Sequence, residues 1–375
     1  MRVGILLPKA FRPYSIDLDG YAAEIAGSGH EPVVVCPENE HPNFPFRVVV
    51  YGDGEASRPD FWKALDLERV ICMTWFKYPE IFRAIRAAGV RVINRADSDG
   101  LVSARVFPAA VFLRLVHPGR GPLDFLKRLR HFLNWYFFHW RQEDAGILEM
   151  MDLSDRVVVE TRIFLANFGK FLRFHRRGDL LGKFSVVPHS VPDLFVQAAV
   201  SEAPRKTIFC SGRWDDDQKN ARLLEACIPR ILRSRPDVGF LVAGYGVKNA
   251  FRNLAGLDPR VRLAGLLARE TLPELLANCR FLFSSSRWES HPIGALEALC
   301  CGCTVVGTPV PGIQDIVQGG RYGSVSGAHS PASLSRAVLE ELLLWDAGKR
   351  KPREIASHWR GEVNNKVVVA QLLSQ

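Results

Sequence analysis

The chain has 375 residues, of which 47% are hydrophobic and 24% charged, and its mean hydropathy is −0.01. That balance excludes a disordered or low-complexity chain and suits two globular domains of ordinary size. The net charge of +9 and pI of about 9.2 point to an anionic partner, whether a nucleotide diphosphate, a nucleic acid or an acidic membrane surface.

The first apolar run, Val3–Leu7, is closed by Pro8 and is too short for a signal peptide, so it reads as a buried strand. No stretch of about 18 apolar residues predicts a membrane span. The default expectation is a cytoplasmic protein, at most peripheral on the inner face of a membrane. Glu31–Cys36, Phe46–Val50, Arg69–Met73, Val90–Asn94, Arg156–Glu160 and Phe184–Val187 read as further strands. Helices are predicted at Gly20–Ala26 and Pro79–Ala88. The second half repeats the plan, with strands at Thr207–Cys210, Gly239–Ala243, Val261–Leu263, Phe281–Ser284 and Thr304–Gly307. Its helices are predicted near Ala221–Arg233, Leu272–Ala277 and Ile293–Cys301.

Strands of β-branched apolar residues alternating with helices predict parallel sheets covered on both faces. The fold class is therefore α/β, with two Rossmann-like doubly wound domains facing a cleft at the carboxyl ends of the strands. The boundaries expected are 1–191 and 192–350, with Pro192–Lys206 as a connecting stretch. A carboxyl-terminal helical segment, 351–375, would pack back on the first domain. Cys300, Cys301 and Cys303 cluster and the other five cysteines are scattered, without paired Cys-x-x-Cys spacing, so reduced buried thiols are expected rather than structural zinc.

The strongest chemical signal is Phe281-Leu-Phe-Ser-Ser-Ser-Arg-Trp-Glu289-Ser290-His291-Pro292-Ile293-Gly294-Ala-Leu-Glu297. A buried strand ends, a polar loop follows, and Pro292 marks a helix start, whose free N–H groups and dipole suit a diphosphate. Glu289 and Glu297 would lie about 12 Å apart at helical rise, far enough for one to hold sugar and the other ribose hydroxyls with phosphates between. Taken alone, the bland reading is a helix with an exposed glutamate at each end. A second signal follows another strand: Gly212-Arg213-Trp-Asp-Asp-Asp-Gln-Lys219-Asn220. Arg213 and Lys219 would neutralise a leaving diphosphate, although a solvated charged loop would read the same way.

Together these segments resemble family 4 of the retaining glycosyltransferases, which have the GT-B fold. The family pairs Gly-Arg…Lys-Asn with a later Glu-x7-Glu, and both stand here in order. Val187–Pro192 occupies the place of the family's turn between domains. Gly244 and Gly246 match its Gly-x-Gly loop, Gly265-Leu266 its nucleobase-facing pair, and Cys301–Val306 with Pro311-Gly312 the strand and turn after the second glutamate. The likeness is good over about residues 186–320 and holds only in outline before them. It implies that Glu289 contacts the donor sugar, Glu297 the ribose, and Arg213 and Lys219 the diphosphate. Backbone from Ser290, His291, Pro292, Ile293 and Gly294 would assist. The donor implied is a UDP- or GDP-sugar, with no cofactor and no metal.

The first half departs from the pattern. Gly20, after Asp19, stands where the family has a glycine pair, and an ordinary helix-start glycine would look the same. No histidine closes the mid-domain strand; Asp97 or Asp99 takes that place, as an acid or base or as a helix cap. Leu126, Leu129, Leu133, Tyr136, Phe137 and Trp140 recur at helical spacing beside Lys127, Arg128, Arg130 and His131. This stretch, 123–141, reads either as a helix facing the core or as a basic amphipathic surface for an anionic membrane. The resemblance implies transfer with retention to a glycan or lipid-linked acceptor. A degenerate GT-B binding protein and a nucleotide-sugar epimerase are the competing readings. No nucleic-acid-binding motif is present.

Overall fold

The computed structural model describes residues 1–12, 18–73, 77–116, 122–254, 256 and 258–374. Two compact units divide the chain: Met1–Pro188 together with Asn365–Gln375, and His189–Asn364.

Unit 1 is built on seven parallel strands: β1 (Arg2–Leu6), β2 (Glu31–Cys36), β3 (Arg47–Val50), β4 (Arg69–Cys72), β5 (Arg91–Arg95), β6 (Arg156–Val159) and β7 (Phe184–Val186). Their order is β3-β2-β1-β4-β5-β6-β7. Alternate side chains enter opposite cores, as the period of two requires. Val33 and Val35 join Trp62, Phe82 and Phe164 on one face, while Val34 joins Tyr21, Ile25 and Val368 on the other.

Unit 2 has six parallel strands: β8 (Thr207–Ser211), β9 (Gly239–Ala243), β10 (Val261–Gly265), β11 (Phe281–Ser284), β12 (Thr304–Gly307) and β13 (Gly323–Val325). They run in the order β10-β9-β8-β11-β12-β13. Along β8, Ile208 and Cys210 face the core formed with helices Ala221–Ser234 and Pro331–Asp346. Phe209 faces the other core, with Leu296, Leu299 and Trp359. The chain winds outward from β8 through β9 to β10, then returns to place β11 on the far side of β8. The switch point of unit 2 therefore lies between β8 and β11, where doubly wound folds open a crevice beyond the strand ends.

Several expectations change. Pro192–Lys206 is not a bare connector: Asp193–Val196 is a short helix, Phe195 is fully buried, and Val191 bridges Asn364 within unit 2. The carboxyl-terminal segment is two helices. Pro352–Val363 stays in unit 2 against helix Ile293–Cys300, and Asn365–Leu373 belongs to unit 1. Arg69 and Arg156 donate to the last carbonyls of that final helix, at Leu373 (2.8 Å) and Gln371 (2.7 Å). These cations sit where the helix dipole is negative. The stretch read as one helix over 123–141 is helix Pro122–Asn134, a π-helical turn at Trp135–His139, and helix Trp140–Leu153. Its buried stripe is Phe125, Leu129, Phe132 and Tyr136, packed with Val111 and Val116. Leu126, Leu133 and Phe137 point outward.

Candidate active site

The two loops singled out in unit 2 leave adjacent strands at its switch point. The loop after β8 carries Arg213 to Asn220, and the loop after β11 carries Ser285 to Pro292. Backbone and side-chain bonds stitch them together. Ser285 Oγ donates to Lys219 O (2.7 Å), the Arg287 amide to Gln218 O (2.8 Å), and Gln218 Nε2 to Trp288 O (2.8 Å). Arg287 also donates to Asn220 Oδ1 (3.1 Å), holding a residue whose φ of 49° is one that asparagine tolerates.

This stitching converges on Glu289, whose carboxylate is buried. One oxygen accepts from Lys219 Nζ (2.6 Å) and Ser286 Oγ (2.7 Å), and the other accepts from Gln218 Nε2 (3.2 Å). Such bonds, one of them to a cation, fix the carboxylate in position and orientation. The loop backbone is held from behind as well. A Cβ on Gly312 would stand 2.0 Å from Ser290 O, so only glycine lets helix Pro311–Val317 start there.

Helix Ile293–Cys300 begins directly beyond. Pro292 is its cap residue, and the first helical bond is donated by Ala295 to Pro292 O (2.9 Å). The amides of Ile293 and Gly294 thus precede the helical ladder, at the positive end of the dipole. A Cβ built on Gly294 would lie 3.9 Å from Ser211 Oγ, which sets this helix start over the end of β8. His291 is buried, and its Nδ1 accepts the amide of His189 at 3.3 Å. The proton of the neutral ring is then on Nε2, leaving that nitrogen as a donor.

One turn into the helix, Glu297 accepts from Arg269 (3.0 Å), whose guanidinium lies over the Phe195 ring. The neighbouring loops are tight. Gly244 has φ +121°, and a Cβ there would stand 2.0 Å from Gly212 O, so β8 and β9 exit closer than any side chain permits. The Gly244 amide donates to Gly265 O (2.6 Å), and Leu266 projects with 75% of its surface exposed.

Of the residues expected, the structure gathers Lys219, Glu289, Ser290, His291, Pro292, Ile293 and Gly294 around one loop pair. Glu297 is on the following helix. Arg213 is on the same loop as Lys219, but its side chain is 73% exposed and its nearest acid is Asp215, at 3.8 Å. Ser286, Gln218, Arg269 and His189 were not singled out. Ser286 and Gln218 adjoin chosen motifs and were legible by position; nothing in the spacing marks Arg269.

In unit 1, Gly20 lies in the first turn of helix Leu18–Gly27. Asp97 follows β5 with φ 37°. Asp99, the other candidate, is committed to the loop: it pairs with Arg114 and accepts the Leu101 amide (3.1 Å). Glu160, just after β6, is a carboxylate that the sequence pattern does not mark. Burial, and then the charge of Asp97, push its pKa up to about 8, against the pull of Arg95. Two acids thus stand at the carboxyl edge of this sheet, one of them holding its proton near neutrality. All eight cysteines are buried as free thiols, and burial raises the pKa of each, which favours the protonated thiol.

Comparison with known proteins falls on the same segment. Residues 205–343 match the family model described as glycosyl transferases group 1. The phosphatidylinositol N-acetylglucosaminyltransferase of Homo sapiens has one component that is 31% identical over 104 residues, 27% of this chain and 22% of that protein. The phosphatidyl-myo-inositol mannosyltransferase of Mycobacterium tuberculosis is 26% identical over 172 residues, 44% of this chain and 46% of that protein. The matches span less than half the length of these curated relatives. Among solved structures, HepE of Anabaena in complex with UDP superposes with a TM-score of 0.69 at 13% identity, covering 100% of this chain and 99% of that one. The chain has the two-unit α/β fold of GT-B glycosyltransferases, and the segment that matches the glycosyl transferases group 1 model, 205–343, holds Lys219, Glu289 and Glu297.

Proposed function

We propose that this protein is a retaining glycosyltransferase that moves a hexosyl group from a UDP- or GDP-sugar to a lipid-linked or glycan acceptor. The observation that carries the reading is the position of the Lys219–Glu289 pair. It sits at the switch point of unit 2, beside the start of helix Ile293–Cys300. A nucleoside diphosphate fits there by charge. Its phosphates would face the amides of Ile293 and Gly294, Lys219 and, turned from Asp215, Arg213. Glu297 would exchange Arg269 for the ribose hydroxyls, and Gly265-Leu266 would lie along the base.

In the transfer step the bond from the anomeric carbon to the diphosphate oxygen breaks, and the acceptor oxygen bonds that carbon from the same face. The acceptor proton passes to the departing phosphate. Negative charge grows on the diphosphate as the bond opens, and the helix start and two cations stabilise it in place. Glu289, fixed by three donors, orients the sugar hydroxyls and favours positive charge developing at the ring. No step in this reading is assigned to a metal. A lipid-linked acceptor is favoured because the relatives named above are phosphatidylinositol glycosyltransferases.

Incubation with nucleotide sugars, with product followed by proton NMR, tests this directly. The product should keep the donor's anomeric configuration. Glu289→Ala should lower kcat by on the order of 10²-fold or more, as removal of a group preorganised for the transition state does. An inverted product would overturn retention, and full activity of the variant would remove Glu289 from the site.

A further inference from the structure

Helix Pro122–Asn134 satisfies its core with one stripe and leaves another uncovered. Phe125, Leu129 and Phe132 pack with Val111 and Val116. On the outward face, Leu123, Leu126 and Leu133 are 76%, 56% and 40% exposed, and Phe137 and Phe138 of the following π-helical turn are 59% and 76% exposed. The outward positions 123, 126, 130, 133 and 137 advance by three and four residues, the spacing of a single helical stripe. The π turn carries the apolar stripe onto two adjacent rings. The same surface continues to Phe174, half exposed beside Trp140 with ring centroids 6.0 Å apart.

Positive charge frames this stripe. Lys127 and Arg130 on the helix, and Arg141 on helix Trp140–Leu153 after the π-helical turn, are exposed. Residues 122–141 hold four Lys or Arg and one Asp, so four minus one gives +3. Arg128 pairs with that Asp124 (2.9 Å). Three further cations, Lys170, Arg173 and Arg176, are exposed on and just after helix Arg162–Phe174, the helix that carries Phe174.

We infer that this face of unit 1 is a membrane-docking surface that lies on an anionic lipid bilayer, with Phe137 and Phe138 entering the acyl boundary and Lys127, Arg130 and Arg141 among the head groups. Both halves of the pattern are needed. A nucleic acid would use the cations but leave the leucines in water. A second copy of this chain would bring like charges together. A bilayer with anionic head groups accepts both the apolar stripe and its basic frame. No helix among the described residues is long and apolar enough to cross a membrane, which is consistent with a surface that lies on it. The inference stands apart from the transfer chemistry.

Flotation of the full chain with phosphatidylcholine vesicles, with and without phosphatidylglycerol, tests it. The protein should float only with the anionic vesicles and be released by high salt, which screens exposed charges. Phe137→Ser with Phe138→Ser, and separately Lys127→Glu with Arg130→Glu, should each cut the bound fraction about tenfold or more. These side chains are exposed, so the melting temperature and its rise with nucleotide should persist, which separates loss of docking from loss of the donor site. Equal flotation with neutral vesicles, or unchanged flotation of both variants, would overturn the inference. So would self-association without vesicles that the phenylalanine variant abolishes, because a second copy would then cover this face.

Discussion

At the scale of single residues, the site is a set of carboxylates given different surroundings. Glu289 has three donors, one of them a lysine, and is pinned by them. Glu160 is buried beside Asp97 and holds its proton up to about pH 8. That burial has a measurable consequence. Folded Glu160 keeps its proton where the unfolded carboxyl has already lost it, so the native state binds more protons between its ordinary value of 4.5 and about 8. Stability contributed by this group is therefore complete at low pH and falls as pH rises through that window. Glu160→Gln should flatten the decline of melting temperature over it, and an unchanged slope would show that Glu160 does not titrate there. Glu289, Lys219 and Glu297 were legible because their motifs follow strand ends at fixed spacing. Glu160 was not, since a lone acid after an apolar strand looks like any strand terminus. Arg269 was not either, because its contact with Glu297 bridges 28 positions of sequence.

At the scale of elements, the strands from β1 to β12 were written in the sequence, whereas several helices, Arg162–Phe174 and Pro331–Asp346 among them, were not among those predicted. Central strands such as β8, β9 and β11 have unbroken apolar centres (Ile208–Cys210, Phe240–Ala243 and Phe281–Phe283), since parallel strands are buried on both faces. The exception is β13, Gly323–Val325, three residues with no apolar pattern of their own. Tertiary bonds supply what its sequence lacks. Glu341, fully buried on helix Pro331–Asp346, accepts from Thr304 Oγ1 on β12 (2.7 Å), Ser324 Oγ on β13 (2.7 Å) and Arg350 (2.6 Å). Arg350 in turn donates to the Gly320 and Arg321 carbonyls ahead of β13. Removing the carboxylate would leave a buried guanidinium and two hydroxyls without their acceptor. Glu341→Ala should therefore cost about 3–5 kcal/mol in a urea melt. A loss under about 1 kcal/mol, the usual worth of an exposed pair, would show that the network is not what holds the edge strand. The helical stretch over 123–141 was read with the right period and an incomplete core face, because periodicity cannot tell a stripe turned to the core from one left in solvent.

At the scale of the whole molecule, the family match and the site coincide in unit 2, while unit 1 supports the fold and departs from the family motifs. That asymmetry has a physical reason. On the proposed reading, gripping a diphosphate and a ribose imposes the same charges and close backbone approaches wherever it occurs, so Gly244, Lys219, Glu289 and Glu297 stand out. On the same reading unit 1 is the acceptor side and would answer to whatever acceptor it serves. The chain folds back at its end: Asn365–Leu373 packs on helix Leu18–Gly27 and is held by Arg69 and Arg156, all within unit 1. Unit 1 is therefore completed by Asn365–Leu373, the later part of the segment expected to pack back on the first domain, while Pro352–Val363 stays in unit 2.

The central claim is that the β8–β11 switch point binds a nucleoside diphosphate. Titration calorimetry of the full chain with UDP, GDP and ADP, repeated on Lys219→Ala, tests it most directly. One nucleotide should bind the parent, and loss of the lysine's charge-assisted bond should weaken it roughly tenfold to a hundredfold. Binding of none of the three, or equal affinity in the variant, would contradict the assignment of this site.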